Sequence, residues 1–129
     1  MDRRTLLASF GAILAQAQTP NRSRGPIFQH DLPDVNLHGW AVTAVHVDYA
    51  PGEKSSPHRH PGITIAYVVE GEIASKVDDD PEKTYMKGEM FIEYPNQVHA
   101  VSRNASDVKP AKLLAILLAE KGKTLTTPA

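Results

Sequence analysis

There is no cysteine among the 129 residues of this chain. Disulfides, zinc–thiolate sites, thiol nucleophiles and lipoprotein acylation are excluded with it. There is almost no net charge, because 14 Lys and Arg face 15 Asp and Glu, giving −1. No basic run is present to grip nucleic acid, and no acidic block to form a solvating tail. No apolar stretch reaches the roughly 20 residues that a spanning helix needs, so no stable membrane span is expected. The length corresponds to one domain. A domain of this size buries roughly two thirds of its unfolded surface, enough to fold without disulfides. What the chain has instead is ten prolines and eight glycines. That composition suits many short strands joined by tight turns and argues against a helical bundle.

The first residues form a predicted targeting segment. Arg3 and Arg4 precede an apolar stretch from Leu6 to Ala15, and Ala15-Gln16-Ala17 is a small-x-small cleavage pattern. Residues 1–17 therefore predict export, to the periplasm or beyond the cell. Arg3-Arg4-Thr5-Leu6-Leu7 also resembles a twin-arginine signal, a route that carries folded proteins and so permits metal loading before export. An ordinary secretory signal with a charged n-region and an uncleaved amphipathic anchor are the alternatives. Residues 18–39 are polar and rich in proline, an arm with one short strand expected around Ile27–Gln29.

Strand patterns begin at Trp40. Ala41–Tyr49 is rich in β-branched residues without a breaker, and Pro51-Gly52 ends it. Ile63–Val69 is a near-continuous apolar run, as in a strand buried on both faces. Further strands are predicted at 73–77, 83–86, 90–94, 98–103 and 111–118. Leucine-rich Ala111–Leu118 would also allow a helix, but Pro110 precedes it and its neighbours are all β. Asp78-Asp79-Asp80 lacks the spacing and glycine of a calcium loop and reads as a solvated turn. The tail 121–129 is expected to be loose. Eight or so short strands at regular spacing predict an all-β sandwich or barrel over residues 40–120.

Two glycine-to-histidine segments stand out. His58-Arg59-His60 places two imidazoles on one side of an extended strand. Joined by a third histidine from another strand, they would make a divalent-metal site; alone, they would be solvated loop histidines beside Pro57 and Pro61. Gly52, His58, His60 and Gly71 match the spacing G-x5-H-x-H-x3-E-x6-G, with Thr64 at the glutamate position. The second segment runs from Gly88 through Pro95 and Gln97 to His99 and Asn104. It matches G-x5-P-x-G-x2-H-x3-N more loosely, but the Gly88-to-His99 distance is preserved. These two motifs resemble those of the cupin superfamily, and the resemblance spans about residues 40–120.

That resemblance implies a double-stranded β-helix, or jelly-roll barrel, with His58, His60 and His99 turned inward on one divalent metal. With Thr64 a poor ligand, two repairs are open. Either the metal rests on three histidines alone, or Glu93 reaches in from the neighbouring strand, sharing a face with Phe91. A buried carboxylate needs such a cationic partner. Three imidazoles with or without a carboxylate suit iron(II), manganese, nickel or zinc. Of the other histidines, His30 and His38 fall outside the motifs, and His46 is expected at the surface or core edge. Tyr67 and Trp40 are candidate cavity aromatics, although aromatics at such positions more often belong to plain core, and Arg59 should point away from the site. Three functions remain: a metal-dependent enzyme such as a dioxygenase or isomerase acting on an enolic or phenolic small molecule, a non-catalytic small-molecule-binding or sensing module, and a structural barrel. Nothing suggests an attached second domain, so a single chain or a homodimer is expected.

Overall fold

A computed structural model describes residues 24–129. The predicted targeting segment, residues 1–17, lies outside the described residues. Nine strands form: β1 (Trp40–Tyr49), β2 (His58–Arg59), β3 (Ile63–Glu70), β4 (Glu72–Val77), β5 (Lys83–Met86), β6 (Met90–Glu93), β7 (Val98–Asn104), β8 (Ala111–Glu120) and β9 (Thr127–Pro128). No helix occurs among the described residues, and so none there is long and apolar enough to cross a membrane. The expectation of an all-β jelly roll holds. Two antiparallel sheets face each other, one in the order β1-β8-β3-β6, the other β5-β4-β7-β2-β9.

Strand pleating sorts the side chains. Val45, Val47 and Tyr49 of β1, Thr64 and Ala66 of β3, and Leu113, Ala115 and Leu117 of β8 point between the sheets. The alternate positions, among them Val42, Ile65, Leu114 and Ile116, lie on the outer face. A compact core of Tyr49, Ala66, Val68, Ile73, Phe91, Ala111 and Leu113 closes one end of the sandwich. Following β8 from Ala111 to Leu117 leads from this core into an open cavity. Gly71 makes the tight β3–β4 turn at φ 74°, and a Cβ there would meet the Pro110 carbonyl oxygen at 2.6 Å. Only glycine tolerates both.

Two expectations are corrected. Ile27–Gln29 is not a strand; in the arm Phe28 stacks on His30, and His30 packs edge-on against Tyr94, whose hydroxyl donates to the Asp31 carbonyl. The tail is not loose along its whole length, since β9 pairs antiparallel with β2, His58 opposite Pro128 and Arg59 opposite Thr127.

Candidate metal centre

Four side chains meet at the cavity floor. His58, His60, Glu93 and His99 each bring one ligand-capable atom, and these atoms all lie within 4.8 Å of one another. Three strands deliver them: β2 carries His58, with His60 just past its end, β6 carries Glu93 and β7 carries His99. His58 and His60 straddle outward-pointing Arg59, whose guanidinium donates to the Asn96 carbonyl at 2.7 Å. His99 on β7 is the register partner of His58. Glu93 ends β6, directly opposite Thr64 on β3.

A bulge aims His99 inward. The β4–β7 register slips between Lys76 and Val77, so that Ser75 pairs Ser102 but Val77 pairs His99. Ser102 and His99, three residues apart, therefore both face the cavity. An unbroken pleat would send one of them outward, and a β-bulge reverses that parity.

Each imidazole is held by its far nitrogen. His58 Nδ1 lies 2.7 Å from the Ser56 carbonyl, and His60 Nδ1 lies 2.9 Å from the Leu125 carbonyl. Carbonyls only accept, so both rings donate from Nδ1, and Nε2 is the nitrogen turned to the cluster. His99 Nε2 bonds Ser75 Oγ at 2.7 Å, turning Nδ1 towards Glu93.

Glu93 lies 3.3 Å from His99 Nδ1 and 3.8 Å from His60 Nε2. These are not ion pairs at neutral pH. Burial pushes the Glu93 carboxyl up to about 8. Burial, then the nearby His58 and His60, pushes His99 down to about 3. Burial likewise lowers His60. Without a cation, the carboxyl is protonated and these two imidazoles are neutral. Glu93 Oε1 is buried and has no hydrogen-bond partner. An orphaned carboxyl oxygen beside three imidazoles is the donor set a divalent cation completes by displacing the proton. The residues present fit a metal.

Above the cluster lies a cavity of about 600 Å³. Its walls are mostly apolar, including Val45, Val47, Leu113, Ala115 and Phe91. No Lys or Arg lines it. Tyr49 Oη is engaged by Ser55 Oγ and Ser102 Oγ, each at 2.8 Å.

This geometry coincides with a family match. The family described as "Cupin domain" matches residues 45–117. The chain belongs to the cupin family. A germin-like protein of Arabidopsis thaliana (subfamily 2 member 4) is 33% identical over 87 residues, covering 61% of this chain and 38% of the relative. The chain thus spans less than half the length of the curated relatives it matches. An uncharacterized conserved protein with a double-stranded β-helix domain from Klebsiella pneumoniae superposes with a TM-score of 0.57 at 20% identity, covering 68% of this chain and 74% of that one. An oxalate oxidase superposes with a TM-score of 0.58 at 20% identity, covering 80% and 63%. Both structural likenesses establish the fold.

Within this cupin, the structure brings together all four residues singled out in the sequence, His58, His60, His99 and Glu93. His46 is exposed on β1, and His30 packs against the arm and Tyr94. Tyr67 and Trp40 do not line the cavity; the aromatics that do are Phe91 and Tyr49. Strand parity accounts for this, because Tyr49 falls in phase with Val45 and Val47, whereas Trp40 does not. Asn104, the last residue of the second motif, is a structural clamp, its amide bonding the Ala50 and Lys109 carbonyls. Ser75 and Leu125, which hold His99 and His60, have no sequence signal.

Proposed function

We propose that this chain is an exported cupin that holds one divalent cation on His58, His60, His99 and Glu93 and acts on a small enolic or phenolic molecule in the cavity above. The observation that carries this reading is the buried, partnerless Glu93 Oε1 among three imidazoles. Iron(II), manganese, nickel and zinc all suit that donor set. A bound cation of this kind supplies Lewis acidity and open positions for a substrate oxygen.

The chain's own residues set the rest. The three rings are oriented by their far-nitrogen partners, so the donor atoms converge before any ligand arrives. With no Lys or Arg on the walls, a substrate anion finds its countercharge only at the cluster floor. The apolar walls exclude water and favour a molecule with one anionic group on an apolar body. Phe91, whose ring centroid lies 5.8 Å from that of His99, offers an aromatic face beside the site.

A second reading is a binding module without chemistry. It is favoured by the lining, where Tyr49 is the one ionisable group outside the cluster and its hydroxyl is already engaged. Export rests on Arg3, Arg4 and the Ala15-Gln16-Ala17 pattern. We further propose a homodimer, with the apolar outer face of the four-stranded sheet as its contact; a monomer mass by light scattering would remove it.

Metal analysis of protein purified without chelator tests the centre, with about one divalent ion per chain expected. Dioxygen uptake on enolic and phenolic substrates then separates enzyme from binder. A metal-free protein that also fails to take up added iron(II), manganese, nickel or zinc overturns the metal-dependent reading and leaves the binding module.

A further inference from the structure

Of the three imidazole rings, His60 alone takes its far-nitrogen partners from the C-terminal tail. His58 is held by Ser56, two residues away, and His99 by Ser75 on the adjacent strand β4. His60 Nδ1 is held by the Leu125 carbonyl at 2.9 Å, across 65 residues of sequence, with Thr126 Oγ1 at 3.1 Å from the same nitrogen. Leu125, Thr126, Thr127 and Pro128 also form one wall of the cavity.

We propose that Leu125 and Thr126 are positioning residues of the metal site, fixing His60 as the Nδ1–H tautomer with Nε2 turned to Glu93. The inference builds on the metal-binding reading above. A neutral imidazole has one ring proton, and the partner of one nitrogen decides which nitrogen is free to bind a cation. A carbonyl cannot donate, so Leu125 commits the proton to Nδ1. Thr126 Oγ1 accepts from the same N–H and reinforces the choice.

The segment is held lightly. Two register pairs join it to β2, and the Ala129 amide donates to the Pro57 carbonyl at 3.2 Å. Residues 121–124 and 126–129 are exposed; only Leu125 is half-buried. Leu125 lines a small void with Ile63 and Leu117. Undocking it would free the His60 ring while leaving both sheets otherwise intact. The ring of the third imidazole is thus conditional on the tail, whereas the rings of His58 and His99 are held by Ser56 and Ser75.

The test compares the full chain with a variant lacking residues 123–129. Nitrogen-15 NMR of the metal-free imidazoles reports the His60 tautomer, and titration with zinc(II) reports affinity. The full chain should show the Nδ1–H form. The deletion should lose that preference and bind zinc(II) about 10- to 100-fold more weakly, the scale of losing an outer partner of a metal-bound histidine. Thr126→Val should weaken zinc(II) by a smaller factor, and Thr126→Ser should restore it. Unchanged tautomer and affinity in a folded deletion variant overturn the proposal. Should the deletion fail to fold, Leu125→Gly combined with Thr126→Val in the full chain is read in the same way. If the full chain binds no zinc(II), the metal-binding reading fails, and the tautomer still decides the role of the tail.

Discussion

Thr64 and Glu93 are direct cross-strand partners, both buried and both lining the cavity. Thr64 occupies the position where the first cupin motif has glutamate, and Glu93 faces it from β6. Paired residues on one face of a sheet stand about 5 Å apart at Cβ. A carboxylate launched from either strand therefore reaches the same cluster. Each of these two residues also has a buried oxygen without a partner, Thr64 Oγ1 and Glu93 Oε1.

This relationship makes the first prediction. Glu93→Gln keeps the size and removes the charge, and should weaken divalent-metal binding at least tenfold. Glu93→Thr should do the same, while adding Thr64→Glu to it should recover most of the affinity. Calorimetric titration with manganese or zinc reads all four proteins. Equal affinity in Glu93→Gln would remove Glu93 from the site.

The second prediction concerns the imidazoles. His58→Ala and His99→Ala should each lose most of the bound metal, since each removes one of four convergent donors. Metal content by atomic emission, measured on folded protein, checks this. Retention in both variants would sink the assignment.

The third prediction is a pH dependence of the metal-free protein. Native Glu93 holds its proton up to about pH 8, whereas the unfolded chain releases it near 4.5. The native state then binds more protons than the unfolded state, so stability falls as pH rises through that window. His99 acts oppositely: held down to about 3 against an ordinary 6.5, it costs stability as pH falls below 6.5. Its effect offsets that of Glu93 at acid pH and vanishes above 6.5. Between pH 6.5 and 8 the Glu93 contribution stands alone, a loss of about 2 kcal/mol. Urea titrations at the two ends should show this slope in the wild type, and Glu93→Gln should flatten it.

The fourth prediction is export. Protein recovered from its native host should begin at Gln18, as read by mass spectrometry. An intact Met1 would count against cleavage. Replacing Arg3 and Arg4 with lysine should block a twin-arginine route; unchanged export would favour the general secretory path.

Much of the fold was legible because strands announce themselves by pattern. Ile63–Val69 and Ala111–Leu118 are apolar runs between breakers, and both form sheet. The histidines were legible from spacing, and Glu93 from sharing parity with Phe91. What escaped is what no side chain encodes. The two-residue strand β9 has no periodicity to detect, and Pro128 argues against a strand on composition. The partner of His60 is a backbone carbonyl, a group every residue owns. The bulge that turns His99 inward shows only in the register of β7 against β4. Tyr67 and Trp40 stay off the cavity wall, since aromaticity does not say which face a residue takes.

A fifth prediction concerns a close approach of backbones. A Cβ at Gly62, two residues past His60, would lie 1.8 Å from the Leu118 carbonyl oxygen. Gly62→Ala must push β3 from β8 at the end nearest the metal cluster. It should destabilise the fold by about 2 kcal/mol or more, at the strained end of single substitutions. A melting temperature equal to wild type would contradict the packing seen here.

The docking of Ala129 beside Pro57 bears on how the protein is handled. A polyhistidine purification tag fused after Ala129 would begin within one hydrogen bond of the His58 strand, at the rim of the cavity. It would offer rival imidazoles to any added ion and pull on the segment that orients His60. Tags at the other end would be lost with residues 1–17 wherever the proposed cleavage takes place. A cleavable fusion ahead of residue 18, removed before any metal is counted, avoids both faults.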